Sequence, residues 1–194
     1  ATVQSSDGFA ILYTSGTMGK PKGVELSHAN MLGVAAATAD RFGLKDDDRI
    51  IGVTALFHVF GLGPGVLSTV LAGACLILQD EAGAAATLDL AERHRATVHY
   101  GVPTMFVAEL AQLEGRRRDL GAMRLAGVAG APVSDDLVDR IGREMGGTVL
   151  TAYSLTETSS TVVGTSPGDS PEKRRFTVGK PLPGTEIRVV ETDG

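Results

Sequence analysis

The chain has little cysteine and few aromatic residues. Its 194 residues include one cysteine, Cys75, and no tryptophan, and aromatic residues make up 5 % of the total. A single cysteine excludes an internal disulfide and a cysteine-based metal site, and the apolar neighbours of Cys75 favour a place in the core over a nucleophilic role. A sequence without disulfides is typical of a reducing compartment, so a cytoplasmic location is expected.

An excess of positive charge is also absent. The formal net charge is −5, which argues against nucleic acid or an anionic membrane as the main partner, although peripheral contact with a membrane stays open. No basic, apolar leader is visible at the first residues, so no signal peptide is expected. Residues 59–78 carry no charge and are long enough to span a bilayer, but glycines and Pro64 interrupt them. We predict a loop, a buried helix and a buried strand there, with a membrane span as the alternative.

What is present begins with a loop rich in glycine, hydroxyl groups and lysine. It runs from Thr14 to Gly23 and follows the apolar residues 9–13, which are predicted to form a buried strand. Glycines let backbone N–H groups turn toward an anion, hydroxyls add donors and lysines add charge, which is the chemistry that holds a polyphosphate. The loop is not a Walker A motif, because Pro21 follows the Gly-Lys pair.

This loop resembles the phosphate-binding loop of the adenylate-forming enzymes, which include acyl-CoA synthetases, peptide-synthetase adenylation domains and luciferases. The family pattern is Thr-Ser-Gly-Thr-Thr-Gly-x-Pro-Lys-Gly, and only Met18 departs from it. The alternative is a surface turn with incidental lysines. The resemblance implies that the loop follows the β- and γ-phosphates of ATP and that Lys22 takes part in catalysis. The implied ATP-binding residues of the loop are Thr14, Ser15, Gly16, Thr17, Met18, Gly19, Lys20 and Lys22.

Beyond the loop, short apolar runs alternate with helical patterns. The predicted strands cover residues 49–54, 75–78, 97–100, 124–128 and 148–152. The predicted helices cover residues 29–42, 64–72, 84–94, 103–113 and 134–145. Asp46, Asp47 and Asp48, between the first of these helices and the next strand, are predicted to form a solvated turn. This alternation predicts an α/β fold with a mostly parallel sheet flanked by helices, and the resemblance implies part of the large N-terminal domain of an acyl-CoA synthetase.

The chain divides into three predicted regions. Residues 1–164 are assigned to an incomplete nucleotide- and acyl-binding α/β region. Residues 165–176, rich in serine, proline and charge, are predicted to be an exposed loop. Residues 177–194 are assigned to the start of a small β subdomain, because residues 186–190 alternate like a half-buried strand.

A second motif follows the predicted strand 148–152. There an aromatic ring can stack on a base, a hydroxyl can bind a phosphate, and a carboxylate can hold Mg²⁺. The motif resembles the family's Tyr-Gly-x-Thr-Glu, with Ser154 in place of glycine. The resemblance implies that Tyr153 lies against adenine, that Thr156 contacts the α-phosphate and that Glu157 binds Mg²⁺, and it makes Thr156 and Glu157 catalytic residues.

A third, weaker motif lies between these two. Gly130, Ala131 and Pro132 resemble the family's Gly-Gly-Ala-Pro adenine platform, with Ala129 at the first glycine, although such a sequence also marks ordinary turns. The remaining implied nucleotide contacts are Thr151, Ala152 and Ser154.

The sequence Phe-His-Val-Phe-Gly at residues 57–61 bears on the substrate. In amino-acid-activating relatives an Asp follows this first Phe and pairs with the substrate ammonium, and His58 cannot supply a fixed negative charge. The resemblance therefore implies a fatty or aryl acid, with His58 and Phe60 lining the acyl side of the pocket. Without the other motifs, a histidine packed in the core would be the alternative.

The resemblance implies a segment of an ATP-dependent carboxylic acid:CoA ligase. Such an enzyme forms acyl-AMP with release of pyrophosphate and then acyl-CoA, using ATP, Mg²⁺ and coenzyme A. Two alternatives stay open: an adenylation segment that loads a carrier protein, and an inactive nucleotide-binding remnant. Because the resemblance covers only the middle of the family, the chain alone is predicted to be inactive or nearly so.

Overall fold

Strands and helices alternate along most of the chain. The computed structural model describes residues 2–15, 20–52 and 55–191. Within these ranges the strands are β1 (Gly8–Thr14), β2 (Lys22–Ser27), β3 (Arg49–Gly52), β4 (Cys75–Leu78), β5 (Val98–Gly101), β6 (Leu125–Val128), β7 (Thr148–Leu155), β8 (Ser160–Gly164) and β9 (Lys180–Pro181). The helices are α1 (His28–Phe42), α2 (Ser68–Leu71), α3 (Ala84–Arg93), α4 (Pro103–Leu113), α5 (Asp135–Glu144) and α6 (Pro171–Phe176). A π-helical segment, Gly61–Leu67, precedes α2, and a 3-10 turn, Thr156–Thr158, joins β7 to β8.

The described strands form two sheets. The larger has seven strands in the order β4-β3-β5-β6-β7-β8-β9. Its pairs from β4 to β7 are parallel, while β7–β8 and β8–β9 are antiparallel. The smaller sheet is the antiparallel hairpin β1–β2. The α/β fold with a mostly parallel sheet flanked by helices, predicted from the alternation, is thus confirmed.

Apolar cores cover both faces of the parallel strands. Because side chains alternate along a strand, consecutive residues enter opposite cores. Ile51 packs with Leu88, Phe106 and Ile141 against α3, α4 and α5, whereas its neighbour Ile50 joins the core on the other face. The core on that second face contains Phe42, Ile50, Phe60, Val98, Tyr100, Leu125, Ala129 and Leu150.

Local capping sets the helix boundaries that the sequence predicts. The hydroxyl of Ser27 accepts a hydrogen bond from the Asn30 N–H at 3.2 Å and starts α1, which ends at Gly43 in the left-handed conformation. Ser134 caps α5 in the same way through the Leu137 N–H at 3.3 Å. Side-chain oxygens of this kind satisfy N–H groups that have no partner within a helix. The predicted helix 64–72 instead begins as the π-helical segment and only ends as α-helix.

The hairpin β1–β2 differs from the prediction of one buried strand. Strand β1 pairs with β2 instead of entering the parallel sheet, and Ile11 and Tyr13 are 62 % and 77 % exposed. One face of the hairpin packs through Leu26 against Met31 and Val59. The sequence did not predict β2, because its apolar residues are too few to stand out before a partner strand is known.

Two predictions near the carboxyl end are wrong. Residues 165–176 are not simply an exposed loop, since Thr165 is fully buried and α6 is capped by Ser170, whose hydroxyl accepts from the Lys173 N–H at 3.3 Å. The predicted strand 186–190 is irregular, and Val189 is 95 % exposed. No described strand pairs with that segment, and an alternating pattern cannot form a ladder without a neighbour.

The positions predicted for Cys75 and Asp48 are also wrong. Cys75 is exposed because β4 lies at the edge of the sheet. Asp48, expected in a solvated turn, is 1 % exposed and accepts hydrogen bonds from Arg124 Nε and Thr97 Oγ1, both at 2.7 Å. Burial alone would raise the pKa of this carboxyl, but hydrogen bonds from Arg124, Thr97 and the Lys45 N–H outweigh it and hold the pKa below its usual value.

The uncharged stretch 59–78 contributes the π-helical segment, α2 and β4. Across the part of the chain that the structure describes, no helix has both the length and the apolar character needed to cross a membrane.

Candidate active site

A cleft of about 380 Å³ brings the predicted motifs together. It lies where the hairpin, the residues after β3, the residues after β6 and the β7–β8 turn meet. Ligands of open α/β sheets bind in such crevices at the carboxyl ends of parallel strands. Its lining residues are Thr14, Ser15, Lys22, His58, Val59, Gly130, Ser154, Leu155, Thr156 and Glu157.

The hairpin supplies the cationic side of the cleft. Thr14 ends β1 and stands directly opposite Lys22, the first residue of β2, in the antiparallel register. Ser15 follows Thr14 and is exposed. Two hydroxyl groups and one ammonium group therefore lie at the same edge, where they can bind phosphate oxygens. The predicted loop residues Gly16, Thr17, Met18 and Gly19 lie outside the described residues, and Lys20 is exposed but does not line the cleft.

The turn between β7 and β8 supplies the acidic side. Strand β7 extends to Leu155, so that Tyr153 and Ser154 lie within it and not after its end. The 3-10 turn then carries Thr156 and the exposed Glu157. It is closed by the Ser159 N–H, which donates to the Thr156 carbonyl at 3.0 Å. The turn thus projects a hydroxyl and a carboxylate beyond the edge of the sheet.

His58 lies in a bend on a third side of the cleft. Its Nδ1 accepts a hydrogen bond from the Phe60 N–H at 3.2 Å. In a neutral imidazole an accepting Nδ1 leaves the proton on Nε2, so His58 offers a donor and no negative charge. Phe60, predicted with His58 on the acyl side of the pocket, does not line the cleft: its side chain is 5 % exposed, and its ring centroid is 6.0 Å from that of Tyr100.

The other predicted nucleotide contacts divide into two groups. Gly130 lines the cleft, and Ala131 and Pro132 are exposed beside it. Thr151 is buried, and its hydroxyl donates to the Thr177 carbonyl at 3.0 Å, so its side chain is already used within the fold. Ala152 packs against the core.

Tyr153 is 49 % exposed, which leaves one side of its ring open for stacking. Val59 and Leu155 line the cleft but were not predicted. Both are apolar positions inside recognised motifs, and only the three-dimensional arrangement shows which side chains of a motif face a cavity.

The donor set of the cleft suits a metal shared with a substrate. No group of three or more His, Cys, Asp or Glu side chains that could hold a metal ion occurs among residues 2–15, 20–52 and 55–191. Glu157 is the one carboxylate among the lining residues. Mg²⁺ is commonly held by one or two carboxylates together with substrate phosphates, and the cleft fits that arrangement.

A larger cavity of about 550 Å³ lies at the ends of β3 and β4, beside α3 and α4. Its lining includes Ala55, Leu56, Leu78 and Met105, but none of the predicted site residues. Size would favour this cavity, whereas the combination of lysine, hydroxyl groups, histidine and carboxylate favours the smaller cleft. We assign the candidate site by its chemistry.

The chain belongs to the AMP-binding enzyme family, which matches it over residues 1–194. Among curated relatives, YngI of Bacillus subtilis, provisionally named an acyl-CoA synthetase, is 39 % identical over 92 % of this chain and 33 % of its own length. The acyl-CoA ligase sidI of Aspergillus fumigatus is 35 % identical over 100 % of this chain and 33 % of its own length. The chain therefore spans about a third of the length of these relatives.

Solved structures agree with this family. The anthranilate CoA ligase AuaEII in complex with anthranoyl-AMP has a TM-score of 0.89 and 28 % identity, covering 98 % of this chain and 37 % of that one. The o-succinylbenzoate coenzyme A synthetase MenE of Bacillus subtilis, in complex with ATP and magnesium, has a TM-score of 0.84 and 32 % identity, covering 99 % and 39 %. The central sheet and its helices are thus those of acyl-CoA ligases.

Proposed function

We propose that this chain is the central segment of an ATP-dependent carboxylic acid:CoA ligase that forms an acyl-adenylate. The observation that carries the proposal is the meeting of Lys22 and its neighbouring hydroxyls with Thr156 and Glu157 across one cleft. The cationic side suits the β- and γ-phosphates of ATP, and the acidic side suits a magnesium-bound phosphate. Membership of the AMP-binding family and the ATP-bound MenE structure support this use of the cleft.

In the first step a carboxylate oxygen of the acid attacks the α-phosphorus of ATP. The bond from that phosphorus to the bridging oxygen breaks, and pyrophosphate leaves. Lys22 would offset the charge that grows on the leaving group, and Thr156 would donate a hydrogen bond to the α-phosphate. Bound Mg²⁺, held by Glu157, would add charge neutralisation at the phosphates. The main work of the protein is to hold both substrates in line.

In the second step the thiol of coenzyme A replaces AMP. Its sulfur forms a bond with the acyl carbon, the bond from that carbon to the AMP oxygen breaks, and the thiol proton is lost to solvent or a base. A holo carrier protein presents the same phosphopantetheine thiol. Comparison of free coenzyme A with a holo carrier as acceptor therefore decides between a CoA ligase and a carrier-loading enzyme.

The acid substrate is proposed to lack an α-ammonium group. His58, with its proton on Nε2, can donate a hydrogen bond but cannot pair with an ammonium. Fatty and aryl acids meet this requirement. The names of the relatives are consistent with both classes, since they include medium-chain acyl-CoA ligases and an anthranilate CoA ligase.

Carboxylate-dependent exchange between ATP and pyrophosphate tests the proposal directly. It should be measured on the full-length polypeptide that contains these residues, with short, long and aromatic acids. We expect exchange with one class of acid and a loss of about 10²-fold or more in Glu157→Ala, because an electrostatic partner of the transition state is removed.

Glu157→Gln is the matched variant, since it keeps the shape of the side chain and removes only its charge. It should lose nearly as much activity as Glu157→Ala. The absence of exchange with every acid would contradict the proposal and favour an inactive nucleotide-binding remnant.

A further inference from the structure

Two serines with unusual backbone geometry close the turn that carries Glu157. Ser159 has a φ of 62° and Ser160 a φ of 110°. L-residues avoid this half of backbone space, and the region around 110° is largely reserved for glycine. Both serines are buried, at 2 % and 0 % exposure. Such strain persists only where the surrounding structure holds it in place.

The π-helical segment Gly61–Leu67 packs directly against these serines. A Cβ built on Gly63 would lie 3.3 Å from the Ser160 Cβ and 3.5 Å from the Ser159 carbonyl oxygen. A side chain at residue 63 would therefore require the neighbouring turn to shift by a few tenths of an ångström. The same segment is joined to His58, whose carbonyl accepts a hydrogen bond from the Leu62 N–H at 3.0 Å. The Gly63–Ser160 contact thus links the His58 side of the cleft to the Glu157 side.

The hydroxyl of Ser160 is the more distant part of this contact, since its oxygen would lie 3.8 Å from a Cβ on Gly63. Its Oγ is buried and has no hydrogen-bond partner among the described residues. The atoms nearest to the Cβ position of Gly63 are the Cβ of Ser160 and the carbonyl oxygen of Ser159. The turn is further fixed by the Thr158 hydroxyl, which lies 3.0 Å from the Leu155 carbonyl and 3.2 Å from the Ser160 carbonyl. The turn that carries Glu157 therefore approaches the π-helical segment through the Cβ of Ser160 and the backbone of Ser159.

We propose that Ser160 is a positioning residue whose Cβ sets the spacing between Glu157 and His58 across the cleft. The inference rests on the proposed function, because it assumes that phosphate binds on one side and the acid on the other. If the Cβ of residue 160 is removed, the chemical groups on each side of the cleft remain, but the distance between Glu157 and His58 changes. The consequence is a lower rate of reaction between two substrates that still bind.

Paired substitutions at residue 160 isolate the Cβ. Ser160→Ala keeps the Cβ and removes the hydroxyl, whereas Ser160→Gly removes both and relieves the backbone strain. In the full-length polypeptide, we expect Ser160→Ala to keep kcat for ATP–pyrophosphate exchange within about twofold. We expect Ser160→Gly to lower kcat about tenfold or more while KM for ATP and for the acid changes less than about threefold. The Tm of Ser160→Gly should not fall, which separates positioning from a loss of stability.

Gly63→Ala tests the same contact from the other side. The added methyl group pushes the turn outward, so kcat should fall while both KM values stay near those of the wild type. Gly33→Ala is the control, because a Cβ on Gly33 meets nothing within 4 Å, and it should leave kcat unchanged.

Hydrogen exchange at the amides of residues 156–158 provides a readout that does not depend on activity. These amides should exchange faster in Ser160→Gly than in Ser160→Ala. Equal losses of kcat in the two variants, or equal amide exchange rates, would overturn the positioning role. If the wild type shows no ATP–pyrophosphate exchange, the proposed function fails. The hydrogen-exchange rates of these amides then decide by themselves whether Ser160 positions the turn.

Discussion

Asp48 shows how one residue can be misjudged from its neighbours in sequence. It belongs to a run of three aspartates, which is typical of a solvated turn, yet it is buried at the amino end of β3 and binds Arg124, Thr97 and the Lys45 N–H. Arg124 also donates to the Gly43 carbonyl at 2.8 Å, so this ion pair joins the end of α1 to the starts of β3, β5 and β6. Thr97 and Arg124 are 49 and 76 residues away from Asp48 in sequence, so no local sequence pattern predicts these hydrogen bonds.

The lowered pKa of Asp48 predicts an acid-dependent loss of stability. A carboxyl with a lower pKa in the folded state stabilises the fold above its unfolded pKa, about 3.9, and that contribution disappears as the pH falls through the folded pKa. Asp48→Asn should lower the free energy of unfolding at pH 7 by about 1–3 kcal/mol, because Arg124 loses its charged partner. The variant should also respond less to pH below about 4.

Chemical unfolding of the full-length polypeptide between pH 3 and pH 7 measures both effects. Asp46→Asn is the matched control, since Asp46 is exposed, and it should follow the wild type. If Asp48→Asn kept the steep acid dependence of the wild type, Asp48 would not be the group responsible.

At the scale of elements, the sequence predicts what depends on local patterns. Helix α4 and strand β4 have the predicted bounds, β6 differs from its prediction by one residue at its start, and α5 is one residue shorter than predicted at each end. Apolar runs and capping residues specify these helices and strands locally, so their bounds do not depend on distant parts of the chain. Hairpin pairing, the extension of β7 to Leu155 and the π-helical segment depend on neighbours across space, and these are the features that the sequence did not predict. Helix α6 did carry a local signal, Ser170 followed by Pro171, which was outweighed by the loop-like composition around it.

The junction between α5 and β7 offers a matched pair of glycines. Gly146 and Gly147 have φ of 87° and 76°. A Cβ on Gly147 would lie 2.5 Å from the Arg124 carbonyl carbon, whereas one on Gly146 would lie 3.7 Å from the Met123 carbonyl oxygen. Gly146→Ala should therefore lower the free energy of unfolding by about 1–2 kcal/mol, because an L-residue is strained in the left-handed conformation. Gly147→Ala should lower the free energy of unfolding by about 1–3 kcal/mol more than Gly146→Ala does, because β7 must move away from β6.

Thermal and chemical unfolding of the two alanine variants, in the same full-length background, gives this difference. Equal destabilisation would mean that the backbone of β6 yields to the added methyl group and that close packing does not fix the junction.

At the scale of the whole molecule, the cleft is assembled from separate parts of the chain. The chain spans about a third of the length of its relatives, and the cleft gathers residues from the hairpin, the parallel sheet and the β7–β8 turn. Residues of four motifs quoted from the sequence meet there, so the location of the candidate site could be predicted. The place of Phe60 in the core and the strain at Ser160 could not, because both depend on packing between segments distant in sequence, Phe60 with Tyr100 and Gly63 with Ser160.

The 194 residues expressed alone should show no measurable carboxylate-dependent ATP–pyrophosphate exchange. The remaining two thirds of the relatives' length has no counterpart in this chain, and among the described residues that line the cleft there is one carboxylate. Exchange assays on the segment and on the full-length polypeptide, at equal concentration and with the same acid, make the comparison. Robust exchange by the segment would show that adenylation needs only these residues.

The hairpin β1–β2 belongs to a different sheet from the one that carries Glu157. Its attachment is an apolar cluster of Leu26, Met31 and Val59, against which Phe9, Leu12, Val24, Leu62 and Leu67 pack. A two-stranded sheet is only marginally stable on its own, so the lysine side of the cleft can open locally while the seven-stranded sheet remains folded. A nucleotide that bridges both sides must suppress this opening as it binds. The apolar contacts that attach the hairpin would then govern how tightly the nucleotide is held and how quickly the products leave. The hairpin would therefore determine turnover as well as binding.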